Sequence, residues 1–79
     1  MNELKQIISE YVGVPADNLN ENTSLVGDIG IDSFGLMSLI CTLEDTFECN
    51  IPDYELSSFQ TLNDLSTYLS QNSSVFARA

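Results

Sequence analysis

Three segments of this chain place apolar residues at helical spacing, and none alternates at the two-residue period of a strand. In the first, Leu4, Ile7, Ile8, Tyr11 and Val12 form one stripe of an amphipathic helix. Asn2 is its expected N-cap, and Gly13 with Pro15 stops it near Val12. The second runs from Ser33 to Glu48 without proline, its only glycine being Gly35 in the first turn. The third opens at Thr61, with Asp64 three residues on as in a capping box. It carries Leu62, Leu65, Tyr68 and Leu69 to an end near Gln71. Between these two, Asn50 is expected to end the second helix in a left-handed conformation, and Ile51-Pro52 to turn the chain. Asp53 then caps a short helix reaching about Ser58. The expected fold is all-α, with three principal helices and one short helix.

From Val14 to Asp32 no periodicity is visible, which leaves a long loop between the first two helices. A connection of this length in a small domain usually means function or disorder. Leu19, Leu25, Ile29 and Ile31, spaced through polar surroundings, predict an ordered loop pinned to a core. Residues 1–71 form one domain on this reading, and residues 72–79, which show no pattern, are expected to fray.

Charge removes several functions from consideration. Twelve acidic residues against two basic ones give a net charge of −10. Nucleic-acid binding needs clustered Lys or Arg, and so does docking on anionic membranes. The chain has no His, the commonest proton-transfer group near neutral pH and a frequent zinc ligand. No catalytic site and no metal site is expected, nor membrane insertion, since no apolar run approaches spanning length. Cys41 and Cys49 would lie about 12 Å apart along one helix, too far for a disulfide. Free thiols suit a reducing cytoplasm. A monomeric acidic module bound by other proteins fits these bounds.

The second helix carries two apolar sets. At ~100° per residue, Leu36, Leu39, Ile40, Leu43 and Phe47 share one arc and face the core. Phe34, Met37 and Cys41 share another arc with Glu44 and Glu48. That second set is either a partner surface rimmed by carboxylates or an apolar patch covered by the long loop.

A calcium loop fails on spacing: from Asp28 the bidentate acid would be Leu39, and from Asn18 it would be Ile29. Ser33 is more informative. Gly30-Ile31-Asp32-Ser33-Phe34 lies where the loop enters the second helix, and a hydroxyl there sits at the positive end of the helix dipole. The position suits a phosphate on Ser33; it equally suits Asp32 or Ser33 as a plain N-cap. No base is available to activate Ser33, so any reaction there needs a second protein.

These residues resemble the acyl carrier protein family. Gly30-Ile31-Asp32-Ser33-Phe34 is similar to the family's Gly-x-Asp-Ser-Leu, and Leu43-Glu44-Asp45-Thr46-Phe47 to its Leu-Glu-x-x-Phe. Ile51-Pro52-Asp53 resembles its Ile-Pro-Asp, and Thr61-Leu62-Asn63-Asp64-Leu65 with Tyr68-Leu69 its last helix. The resemblance implies a four-helix bundle with 4'-phosphopantetheine on Ser33, taken from coenzyme A by a phosphopantetheinyl transferase with Mg²⁺. It implies that Asp32 engages the transferase. It implies that Phe34, Met37, Cys41, Glu44, Asp45 and Glu48 dock on basic patches of acyl-transferring, synthase or ligase enzymes of fatty-acid, polyketide or related lipid pathways. The carrier itself is no enzyme. Where the family's fatty-acid carriers have acids two and five positions after the serine, this chain has Gly35 and Ser38. That departure points to a specialised carrier. An aminoacyl or peptidyl carrier with the same arm is the first alternative, and an acidic interaction module without a prosthetic group the second.

Overall fold

The computed structural model describes residues 2–78; Met1 and Ala79, the outer ends of the two expected ranges, lie outside them. The chain is all-α as expected: α1 (Asn2–Val12), the 3-10 helix η1 (Ala16–Asn18), α2 (Ser33–Phe47), the 3-10 helix η2 (Asp53–Ser58), α3 (Leu62–Asn72) and α4 (Ser74–Arg78). Leu4 and Ile8 of α1, Leu39, Ile40, Leu43 and Phe47 of α2, and Leu62, Leu65 and Leu69 of α3 meet in one buried core. Their spacing in sequence is that of a helix face, so each principal helix buries one stripe and leaves the rest in water. Asn2 is already helical, and Gly13, at φ +77°, closes α1 by returning its N–H to Ser9 O at 2.8 Å. The left-handed value suits a residue without Cβ.

The long loop is ordered for a backbone reason. Leu62 and Asn63 open α3, and their N–H groups have no partner within that helix. Carbonyls of the loop meet them: Leu62 N donates to Thr23 O at 3.1 Å, and Asn63 N to Glu21 O at 3.0 Å. In return Leu25 N donates to Gln60 O at 2.9 Å. Leu19, Leu25 and Ile31 are buried beneath these contacts, and Ile29 packs against them half-buried. A second knot closes the loop on itself, with Ser24 N donating to Asp28 Oδ2 and Gly27 N to Ser24 Oγ.

Thr61 and Asp64 form the expected capping box. Asp64 Oδ2 accepts from Gln60 N at 2.8 Å and from Thr61 N at 3.0 Å. Those backbone bonds, that from Gln60 first, hold the Asp64 carboxyl below the usual carboxylate range.

Two local expectations are corrected. The left-handed residue after α2 is Glu48 (φ 50°, ψ 51°) and not Asn50. The helix ends at Phe47, which fills the core, and the N–H groups of Glu48 and Cys49 both return to Glu44 O, so position outranks side-chain preference. Asp53 is the first residue of η2 rather than its cap, because Pro52 precedes it in an extended conformation and no side chain caps that helix. Beyond α3 the chain forms the short helix α4, which contacts the core. Ser73 Oγ–H donates to Phe47 O and accepts from Phe76 N, and the Phe76 ring meets Phe47 edge-on at 5.0 Å. Phe76 thereby closes the end of the core beyond Phe47.

Two stability outcomes follow. A left-handed non-glycine residue costs roughly 1–2 kcal/mol, and glycine's extra chain entropy offsets about half of that. Glu48→Gly therefore raises the melting temperature by about 2–8 °C in a domain of this size, measured by circular dichroism. Because Asp64 binds its proton less readily when folded, the stability it adds is complete above the unfolded value of about 3.9 and is lost as pH falls through the lower folded value. Asp64→Asn keeps an acceptor but cannot titrate, so it flattens the acid side of the melting-temperature profile below about pH 4. An unchanged profile would contradict this.

Candidate functional site

The loop and α2 meet at Asp32 and Ser33. Asp32 is extended (φ −84°, ψ 177°), and its Oδ1 accepts from Gly35 N at 2.7 Å, which makes Asp32 the N-cap. A Cβ at Gly35 would lie 3.2 Å from that same oxygen, so the bare glycine lets the carboxylate close tightly on the helix. Since Asp32 does the capping, Ser33 is released from it and stands exposed as the first residue of α2. Gly35 N is answered by Asp32 Oδ1 and Leu36 N by Asp32 O, which leaves the N–H groups of Ser33 and Phe34 at the positive end of the helix dipole.

Beside Ser33 lies a groove of about 430 Å³ between the loop, the start of α2 and η2. Ile31, Leu36, Leu56 and Phe59 give it an apolar lining, with Ser33 and Asp32 at its edge. Leu36, expected in the core, is half-buried because it faces this groove. A larger recess within the loop, near Asn18, Asn20, Asn22 and Asp28, is polar and does not include Ser33. The residues present therefore fit a phosphate ester at Ser33: an exposed hydroxyl, a helix start that favours an anion, and an apolar groove for whatever extends from it.

The second apolar arc of α2 is not covered by the loop. Phe34 is 83% exposed and Met37 51%, and Cys41 is exposed as well. Asp45 and Glu48 are also in solvent. Glu44 differs. It is half-buried, and its Oε2 accepts from Ile51 N at 2.8 Å, so it braces the turn after α2. Tyr68 assists from α3, its hydroxyl donating to Asn50 O at 3.0 Å. Cys49 belongs to this turn and is half-buried, and burial first, then the Glu44 charge, pushes its thiol up. Nothing local in the sequence marks Glu44 as a brace, because its partner is seven residues away across a turn.

Val26 and Tyr54, 70% and 78% exposed, are surface features that helical periodicity does not reveal. Val26 stands in the loop and lines the groove; Tyr54 stands on η2, the opposite bank. Their only signal in the sequence is that each is an apolar residue without a periodic partner.

Comparison with known proteins agrees with this geometry. The family model described as a phosphopantetheine attachment site matches residues 2–69. The acyl carrier protein of Chlamydia caviae is 39% identical over 67 residues, 85% of this chain and 87% of its own length. That of Chlamydia felis is 37% identical over 85% and 86% of the two chains. That of Bdellovibrio bacteriovorus is 33% identical over the same shares.

The capping role of Asp32 is read out by stability. Asp32→Ala removes the cap and costs about 1 kcal/mol, whereas Asp32→Asn caps about as well and leaves stability near wild type. Equal losses in the two variants by thermal melting would refute the capping role.

Proposed function

The chain belongs to the phosphopantetheine attachment family, and we propose that Ser33 Oγ is the atom that carries its arm. The protein is an acyl carrier and not a catalyst. The observation that supports Ser33 is the division of labour at the start of α2: the neighbouring carboxylate caps the helix, and the serine hydroxyl faces solvent.

The arm, once attached, supplies a thiol that holds acyl groups as thioesters. This chain's residues supply position. Ser33 contributes an oxygen nucleophile but no means of activating it, since the chain has no His and Asp32 is engaged with Gly35 N–H. The base and Mg²⁺ belong to a phosphopantetheinyl transferase, for which this carrier is a substrate. Asp32 retains a charge at the protein surface next to Ser33, where the transferase reaches it. Leu36, Leu56 and Phe59 line the groove beside the attachment point and shelter the near part of an apolar cargo from water.

Phe34, Met37, Cys41, Asp45 and Glu48 form the docking face for synthase, ligase and acyl-transferring enzymes with basic patches. Glu44 supports that face from behind by holding Ile51. The carrier works as a monomer in the cytoplasm, where the free Cys41 and Cys49 stay reduced. Among the described residues no helix is long and apolar enough to cross a membrane.

Intact-mass measurement tests the attachment. Incubated with coenzyme A, Mg²⁺ and a broad-specificity transferase, the wild-type protein gains the mass of one phosphopantetheinyl group, and Ser33→Ala gains none. No gain in the wild type, or a gain that survives Ser33→Ala, defeats the proposal.

A further inference from the structure

We infer that enzymes dock on this carrier through an apolar contact centred on Phe34, and that the charge pairing made by α2 itself is confined to its far end. The occupant is an enzyme face that offers a pocket for an aromatic ring beside its active-site entrance, with basic groups set well away from that pocket. The inference rests on Ser33 as the attachment point and says how an enzyme reaches it.

Phe34 directly follows Ser33, so an enzyme that closes on the serine covers the phenyl ring too. That ring is 83% exposed in the free protein. Phe34, Met37 and Cys41 continue at i, i+3 and i+7, and Asp45 follows at i+11, some 16 Å further along the axis at ~1.5 Å per residue. Between Ser33 and Leu43 the helix carries no charge, with Gly35 and Ser38 on the turns nearest the serine. Asp32, immediately before it, caps the helix, and Glu44 holds Ile51 N. The first acid of α2 free to meet a partner is therefore Asp45, beyond the roughly 8 Å over which charges act at physiological salt. Val26 and Tyr54 extend the exposed apolar surface to the two segments that flank the groove.

This layout matches the anatomy of a stable interface, which has an apolar centre poor in charge and a polar rim. Buried aromatic residues near the centre dominate affinity, while rim charges act chiefly on the encounter rate and are weakened by salt. In this carrier Phe34 is the anchor, and Asp45 with Glu48 are the rim. An enzyme face built for an isobutyl side chain, with basic groups close to its entrance, meets a ring it does not fit and a helix turn with no charge to pair.

The test uses a broad-specificity phosphopantetheinyl transferase as the docking probe, with the second-order rate of Ser33 loading followed by intact mass from low to high NaCl. Phe34→Ala lowers that rate about tenfold or more at every salt concentration, and Phe34→Leu lowers it less. Asp45→Lys with Glu48→Lys lowers the rate at low salt and has little effect at high salt. All variants melt near the wild-type temperature, as expected for exposed positions. A Phe34→Ala rate within about twofold of wild type overturns the apolar anchor and leaves Ser33 attachment standing. Failure of the wild type to load overturns both.

Discussion

Backbone N–H groups at the start of α3 are the constraint on which the rest of the protein depends. A helix of three turns leaves four such donors unmatched, and a small domain has little surplus stability to leave them so. Here Thr61 and Asp64 answer part of the demand within the helix, and loop carbonyls of Glu21 and Thr23 answer the remainder. The same bonds give the loop its own fixed partners. A connection that would otherwise be mobile is therefore held along its middle, with Leu19, Leu25 and Ile31 pressed into the core. The entry of the chain into α2 is set as a consequence, because Ile31 N returns to Leu25 O just before the cap at Asp32.

From that entry point the functional geometry follows. One carboxylate at Asp32 closes the helix, and the next residue is left outward and uncommitted. Had Ser33 been the cap, its oxygen would be turned into the first turn and engaged with a backbone donor. Glycine two positions later carries a cost in helix propensity of roughly 1 kcal/mol relative to alanine, and it also lets the cap sit close. The weakness at the start of α2 is thus local, since three turns of buried Leu39, Ile40, Leu43 and Phe47 hold the remainder.

Features governed by near neighbours along the chain are legible in the amino-acid order itself. The two arcs of α2, the capping box at Thr61 and Asp64, the apolar anchors of the loop and the Asp32-Ser33 junction are all periodic or short-range patterns. Features set by distant contacts are not. Asn50 has the better intrinsic preference for a left-handed turn, yet Glu48 takes it, because the helix ends where Phe47 meets Phe76 and Ser73. The last segment shows no periodicity since it needs only one buried ring, Phe76, to be held. Glu44 reads as a docking acid because it lies among others; only the fold of the turn after α2 reveals that Ile51 N–H occupies it.

Removing Glu44 from the set of free acids changes how the net charge of −10 acts. Self-repulsion on a domain this small is lowest when acids are dispersed or matched to backbone donors, and Asp28, Asp32, Glu44 and Asp64 are all matched in that way. Each of them stabilises a turn or a helix start. Glu44 commits one oxygen to backbone, so on α2 the acid with no backbone bond is Asp45, with Glu48 just beyond the helix end. A strongly acidic chain can therefore present a nearly neutral helix next to its reactive serine. Long-range attraction comes from the total charge, while the fit at Ser33 is left to the shape and apolar surface of Phe34 and its neighbours.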